Sequence, residues 1–289
     1  MSEPLPLSPE RPVAAEAPAG SESVIDVVNL SKAFGKLVVL NDVNFSVKNG
    51  ESLVILGGSG TGKTVLLRCI MGLLTPDSGH VAMEGQVIQA MTREALFEAR
   101  KSIGMCFQMA ALFDSMSVEQ NVGFALKRHT KMSKSEIADR VEECLNMVGL
   151  KDTQKLRPSE LSGGMKRRVG FARAIALKPK ILLFDEPTTG LDPVMTDVIG
   201  RIILDLKQEL GVTSITITHD LKSAFLIADR VALLFHGQCL AIEEPEAFKV
   251  NPNEVIQQFL RGDAEGPFLE DPPPPSHPKK SAPQASPAV

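Results

Sequence analysis

The sequence predicts an α/β fold: a mixed sheet core with an antiparallel β subdomain and a helical subdomain. Three stretches predict it. The apolar run Leu53-Val54-Ile55-Leu56 feeds Gly57-Gly58-Ser59-Gly60-Thr61-Gly62-Lys63-Thr64, and Val65, Leu66, Cys69 and Ile70 follow at helical spacing. A second apolar run, Ile181-Leu182-Leu183-Phe184, ends in Asp185-Glu186. Unbroken apolarity of that kind fits a strand covered on both faces of a parallel sheet. Between them, Ser133-Lys134-Ser135-Glu136 is a capping box. Ile137, Val141, Cys144, Leu145 and Val148 then mark one helix face, and Gly149 closes the helix.

A strand, a glycine-rich turn and a helix in that order form the context of a phosphate loop. The glycines let backbone N–H groups converge on one anion, where a Cβ would block the approach. In the spacing G-x-x-x-x-G-K-T, Lys63 reaches the β- and γ-phosphates and the Thr64 hydroxyl ligates Mg²⁺. Asp185 stands at the carboxyl end of its strand, where α/β sheets bind ligands, and would hold Mg²⁺ directly or through water. Glu186, one residue on, is placed to orient or deprotonate an attacking water.

The chain has 289 residues, 43 % of them hydrophobic, so an ordinary core needs no disulfides. A net charge of −4 gives no basic field and argues against nucleic acid as the main partner. Cys69, Cys106, Cys144 and Cys239 lie far apart among apolar neighbours and read as buried free thiols of a reducing cytosol. Neither a membrane span nor a signal peptide is expected, so any membrane service would need spans from another chain. Tyr and Trp are absent, which leaves Phe or His for any contact with a base.

Residues 1–22, rich in Pro, Ala, Ser and Glu, read as a disordered arm, and 263–289 as a Pro-rich tail with Pro272 to Pro275 consecutive. The domain is expected over 23–262. Strands are expected at Val24–Val28, Leu37–Leu40, Val43–Val47 and Ser52–Leu56, with Asn49-Gly50 as a hairpin signal between the last two. Val81–Met83 and Val87-Ile88 read as another hairpin, so antiparallel strands are expected around the first phosphate-loop strand. Thr92 to Arg100 is helical in pattern, Ile103–Phe107 is a short apolar run ending at Gln108, and a helical insert is expected over about 92–178. Val212–Thr218 reads as a strand ending at His219. Val231–Phe235 and Cys239–Ile242 read as a hairpin, followed by short helices at Pro245–Phe248 and Asn253–Leu260.

Several residues have two readings each. Phe34, in a turn between early strands, is either an aromatic platform for a base or a core side chain. Leu161-Ser162-Gly163-Gly164-Met165 opens a basic helix with Lys166, Arg167, Arg168 and Arg173. It is either a second anion site or an ordinary Ser-capped helix. His219 could touch a γ-phosphate or serve a bland structural role. Pro193 suits the first position of a helix after the turn Thr189-Gly190-Leu191-Asp192.

Taken in order, these pieces resemble an ATP-binding cassette (ABC) ATPase over residues 24–260. The resemblance implies a phosphate-loop NTPase fold of the ABC type, ATP hydrolysis and a dimer of two copies sandwiching two ATP molecules. It places Phe34 under the adenine and Gly57, Gly58, Ser59, Gly60, Thr61, Gly62, Lys63, Thr64 and Gln108 around the nucleotide. Thr64, Gln108 and Asp185 would hold Mg²⁺, Glu186 would polarise water and His219 would steady the γ-phosphate. Leu161, Ser162, Gly163, Gly164 and Met165 form the signature that acts in trans on the partner's ATP, and Asp192 aligns the sites.

Within that family three stretches are similar to the ATPases of Mce-type phospholipid transporters: Phe107 to Val118, the Met165 signature, and Gln258 to Pro267. Such a subunit works peripherally on the cytoplasmic face of the inner membrane. The implied partners are a membrane permease and, around it, an Mce-domain protein and a small STAS protein. Ala111, Leu112, Phe113 and Met116 are expected to border a groove for a short cytoplasmic permease helix. ABC ATPases for a small polar solute or a drug share the same catalytic residues. A mechanical ABC ATPase acting on DNA or ribosomes would need a long coiled-coil insert or two cassettes, and a simple kinase or GTPase leaves the signature unexplained.

Overall fold

The computed structural model describes residues 23–269. The arm expected over 1–22 and the tail from residue 270 onward lie outside the described residues. The chain divides into two compact units between Asn251 and Pro252, so the boundary expected at residue 262 falls inside the second.

The first unit holds two sheets. One has four antiparallel strands, ordered β2 (Leu37–Lys48), β1 (Ser23–Phe34), β4 (Ser78–Met83) and β5 (Gln86–Val87). The other has six, ordered β10 (Gln238–Glu243), β9 (Arg230–Phe235), β3 (Ser52–Leu56), β8 (Thr213–Thr218), β7 (Ile181–Asp185) and β6 (Ile103–Cys106). All neighbours in this second sheet are parallel except β9 and β10. Every residue of β3, β7 and β8 is buried, as strands covered on both faces of a parallel sheet are.

Two expectations are corrected here. Asn49-Gly50 makes a turn but not a hairpin: β2 pairs with β1, whereas β3 lies between β8 and β9. The Gly50 N–H donates to Thr213 Oγ1 at 2.9 Å, so the turn hands the chain from one sheet to the other. Both flanks of β3 are therefore parallel strands, and the antiparallel strands form a sheet of their own rather than surrounding it. In addition, the two strands expected at 37–40 and 43–47 are one, β2. It is continuous through Asp42, which adopts φ +57° while its carboxylate accepts from Asn29 and Asn44.

The helices are α1 (Lys63–Ile70), α2 (Arg93–Lys101), α3 (Val118–His129), α4 (Lys134–Met147), α5 (Gly163–Ile175), α6 (Pro193–Leu210), α7 (Leu221–Ile227) and α8 (Pro245–Lys249). Thr92, Ser117, Ser133, Ser162, Asp192 and Asp220 each cap the helix that follows. Within the stretch expected as a helical insert, residues 103–106 are β6 of the core sheet. The helical part proper is α3, α4 and α5, which pack on one another, and α5 also rests on β6. One apolar cluster joins the two sheets through Ile25, Leu40, Val43, Leu53, Ile55, Leu66, Ile70, Leu183 and Ile215. Leu53 and Ile55 anchor one face of β3 in this cluster.

Cys69, Cys106 and Cys144 are buried and Cys239 is half-buried, all as free thiols. Burial pushes Cys69, Cys144 and Cys239 up to about 11, and Cys106 higher still, so none is a thiolate at neutral pH.

The second unit is built around α9 (Glu254–Arg261), capped by Asn253 and ended by Gly262 at φ +72°. The Gln258 side chain accepts from the Phe268 N–H and donates to the Asp263 carbonyl, folding the following turn back on the helix. Phe259 and Phe268 have ring centroids 5.2 Å apart.

Candidate functional site

The loop 57–62 leaves β3 and turns into α1. A Cβ on Gly57 would sit 2.6 Å from the Leu234 carbonyl oxygen, so only glycine lets the loop lie this close to β9. Gly62 has φ +100°, and a Cβ there would sit 2.8 Å from the Val39 carbonyl. Gly62 also offers no side-chain cap to α1, leaving first-turn N–H groups for an anion. The tip, Ser59-Gly60, is exposed. Lys63 is buried, and its Nζ donates to the carbonyls of Gly57 at 2.8 Å and Gly58 at 2.9 Å. The loop's own oxygens therefore hold the ammonium inside the ring of amides.

Two further strand ends stand beside this loop. In register, Asp185 of β7 faces Ile217 of β8, and Leu56 of β3 faces Thr218. Asp185, Glu186 and His219 therefore share the carboxyl edge of the sheet with Gly57, the edge at which ligands bind in parallel α/β sheets. Thr64 Oγ1 is 3.5 Å from Asp185 Oδ1. Burial, and secondarily the Glu186 charge, raise the Asp185 carboxyl above its usual range, against weaker help from Thr64 and Lys63. Two hard oxygen donors at a carboxylate with that strain suit a divalent cation. Mg²⁺ commonly takes one or two protein oxygens and completes its shell with phosphate and water.

Glu186 is the hub. Its Oε1 lies 3.4 Å from Lys63 Nζ. Its Oε2 accepts from the Thr189 hydroxyl at 2.9 Å and lies 2.9 Å from His219 Nδ1. The residue adopts φ +49°, an uncommon conformation for a non-glycine, and its N–H donates to the Ile217 carbonyl. Strand pairing, lysine, threonine and histidine together fix the carboxylate.

Gln108 follows β6 into an exposed loop. Among the described residues its side chain makes no hydrogen bond, while its carbonyl accepts from Arg167 Nη2 at 2.8 Å. The loop's next residues, Ala110 and Ala111, both have positive φ, and their carbonyls accept from Arg173. Phe34 is 51 % exposed at the end of β1, with Lys32 Nζ 5.7 Å from its ring. Its core reading is thereby excluded.

The stretch Leu161 to Met165 begins α5. Ser162 Oγ accepts from the Met165 N–H, and both Ser162 and Gly163 are exposed. A Cβ on Gly163 would meet nothing within 4 Å, whereas one on Gly164 would meet Met195 Cε at 2.6 Å. Met195 is in the first turn of α6, where its N–H and that of Val194 donate to Asp192 Oδ1. Gly164 is therefore packed against the first turn of α6, which Asp192 caps. Among the described residues no hydrogen bond joins 161–165 to the phosphate loop.

The structure thus gathers Lys63, Thr64, Asp185, Glu186 and His219 in one place. The 161–165 helix start and Asp192 stand in a second place, and Gln108 and Phe34 project to the surface. The model of the ABC transporter family matches residues 40–189. The chain belongs to this family. It is 39 % identical to the intermembrane phospholipid transport system ATP-binding protein MlaF of Escherichia coli K12, with 85 % of this chain and 91 % of that protein covered. It is 40 % identical to the probable ribonucleotide transport ATP-binding protein mkl of Mycobacterium leprae, over 84 % of this chain and 70 % of that one. Among solved structures it is similar to the ATP-binding cassette MJ0796, a dimer in a post-hydrolysis state bound to ADP and Pi. That likeness has a TM-score of 0.71 and 31 % identity, covering 76 % of this chain and 98 % of that one.

As an ABC ATPase the chain binds ATP and hydrolyses it. No helix among the described residues is long and apolar enough to cross a membrane. The sequence pattern did not single out Thr189, or the specific bonds of Arg167 and Arg173. Thr189 sits in a turn read only for its glycine and proline, and the arginines read as one basic helix face. The available signal was periodicity: Gly164, Arg167 and Phe171 fall on one stripe of α5, and that stripe is buried.

Proposed function

We propose that this chain is the ATP-hydrolysing subunit of an ABC transporter that powers phospholipid transport between bacterial membranes through a separate permease. The observation that carries this reading is the near end-to-end similarity to MlaF, with 91 % of that protein covered. The Phe107 to Val118 loop and the Met165 signature support it from the residues. A ribonucleotide as cargo is the second reading, since the mkl protein is equally similar.

In this reading Phe34 stacks on adenine, and the amides of 57–64 with Lys63 bind the phosphates. Mg²⁺, when bound, offsets phosphate charge, and Thr64, Asp185 and Gln108 are the residues that would hold it. Glu186 orients the attacking water and takes its proton, held for that purpose by Thr189 and His219. Ser162 and the N–H groups of Gly163 and Gly164 close over the γ-phosphate on a second copy, delivering positive potential in trans. The exposure of Ser162 and Gly163 supports that arrangement. Asp192, packed with the same helix start through Met195, aligns the two sites.

The permease would dock at the exposed apolar residues near Gln108, on the cytoplasmic face of the inner membrane. Met109 is 86 % exposed and Phe113 is 42 % exposed. The Phe113 ring is 4.9 Å from that of Phe124. Asn121, fully buried, shapes this surface: its amide accepts from the Phe113 N–H and donates to the carbonyls of Phe113, Met116 and Ser117. Exposed aromatic clusters of this kind mark interaction sites. An Mce-domain protein and a small STAS protein would complete the assembly.

Two experiments test the reading. Phe113→Glu should keep the ATPase rate of the isolated subunit within about twofold, because Phe113 touches no catalytic group, while abolishing co-purification of the permease. Equal loss of both would count against the docking site. Purification of the tagged chain from its own membranes, with mass spectrometry of bound proteins and lipids, decides the cargo. A permease with phospholipid supports the proposal, and a permease with nucleotide cargo and no lipid overturns it.

A further inference from the structure

We propose that Arg167 is a positioning residue that couples the two nucleotide sites, transmitting the position of the helix that begins at Ser162 to the Glu186 carboxylate of the same chain. The inference rests on the reading that each ATP lies between two copies. Arg167 sits five residues after Ser162 in α5 and is 8 % exposed. A guanidinium removed from water is expensive unless its donors are used; here no carboxylate receives them and the buried Nη1 has no hydrogen-bond partner. Instead Nη2 donates to two backbone carbonyls, of Gln108 at 2.8 Å and of Thr189 at 3.0 Å. One side chain of the signature helix thereby ties together the two loops that flank the catalytic edge.

From Thr189 the path runs on to the chemistry. Its hydroxyl donates to Glu186 Oε2, the oxygen that also faces His219, while Oε1 faces Lys63. The other arm holds the Gln108 loop, which Arg173 grips again from the same helix at Ala110 and Ala111. Because α5 is a continuous helix, a shift at its first turn moves Arg167 with it. Ser162 would answer to the partner's nucleotide, and Glu186 acts on the chain's own. A change at one site therefore alters the carboxylate's orientation at the other, and the turnover rates of the two sites become interdependent.

A double-mutant cycle on the full-length chain tests this. Arg167→Met keeps the bulk of the side chain and removes the donors. It should lower kcat about tenfold to thirtyfold, with the KM for ATP and the affinity for a fluorescent ATP analogue within about twofold. It should also flatten any sigmoidal dependence on ATP. Arg167→Lys, which keeps a cationic donor one bond shorter, should restore part of the rate. Thr189→Val should cost several-fold in the native background and little more in Arg167→Met, since both cut one path.

The proposal is overturned if Arg167→Met keeps native kcat. It is equally overturned if the two losses multiply, or if rate, affinity and melting temperature fall together without rescue by lysine. Sedimentation of Glu186→Gln with ATP separates this failure from the broader one. A chain that stays monomeric there removes the two-copy reading itself, whereas a dimer with an unaffected Arg167→Met variant removes only the coupling.

Discussion

Glu186→Gln lowers ATP turnover by at least about a hundredfold, the usual scale for loss of a positioned general base. The substitution is nearly isosteric. The glutamine can still meet the Thr189 hydroxyl and the His219 ring, which lie 2.9 Å from Oε2 in the native site. What disappears is the negative charge beside Lys63, 3.4 Å away, and the capacity to accept a proton. Neither is needed to bind ATP. In the proposed site this carboxylate would stand near the γ-phosphate and oppose binding, so affinity should be unchanged or tighter. The variant should accumulate as a closed, ATP-loaded dimer, read by size-exclusion chromatography with and without ATP. Steady-state phosphate release at saturating ATP gives the rate. A near-native rate would remove Glu186 from its role.

Lys63→Met has the second large effect, on binding as well as turnover. Lys63 Nζ now satisfies the Gly57 and Gly58 carbonyls and stands beside Glu186. Losing it takes the ammonium from both carbonyls, leaving Gly58 with only the Thr61 hydroxyl as a side-chain donor, and takes from Asp185, already raised by burial and by Glu186, a charge that favours its ionised form. A hydrogen bond to a charged group contributes about 1.5–3 kcal/mol, so ATP affinity should fall by roughly tenfold to a hundredfold or more. Turnover should fall below detection, because the same ammonium offsets charge on the transferring phosphoryl group. Titration calorimetry with ATP measures the first and phosphate release the second. Native affinity in this variant would mean that the loop amides alone hold the phosphates.

Much of this site could be read from the chain because its parts are local. Gly57 to Thr64 must be a strand, turn and helix within a few residues, and the structure adds only the reasons: Gly57 lies against Leu234 and Gly62 against Val39. The capping box at Ser133 and the caps at Ser162 and Asp192 are likewise local, and all three are present. What was illegible is long-range. Asn49-Gly50 carries a true turn signal, but which strands flank it is decided by β8 and β9, far along the chain. The short run Ile103 to Cys106 is too brief for periodicity to separate an insert from a sheet edge, and its pairing with β7 settles the matter. Arg167 reads as one more residue of a basic helix until α5 is seen to turn it inward.

The most direct test of the two-copy site is complementation between two dead chains. Lys63→Met spoils the cradle and leaves the signature intact. Gly163→Asp places a negative charge where the γ-phosphate should be met and leaves the cradle intact, since a Cβ at Gly163 meets nothing in its own chain. Each alone should be inactive. Mixed in equal amounts, half the random dimers carry one intact composite site, so ATPase activity should return, to at most about a quarter of the native rate and to less where the intact site depends on its dead neighbour. Full activity from Gly163→Asp alone, or no recovery at any mixing ratio, would contradict a nucleotide held between two copies.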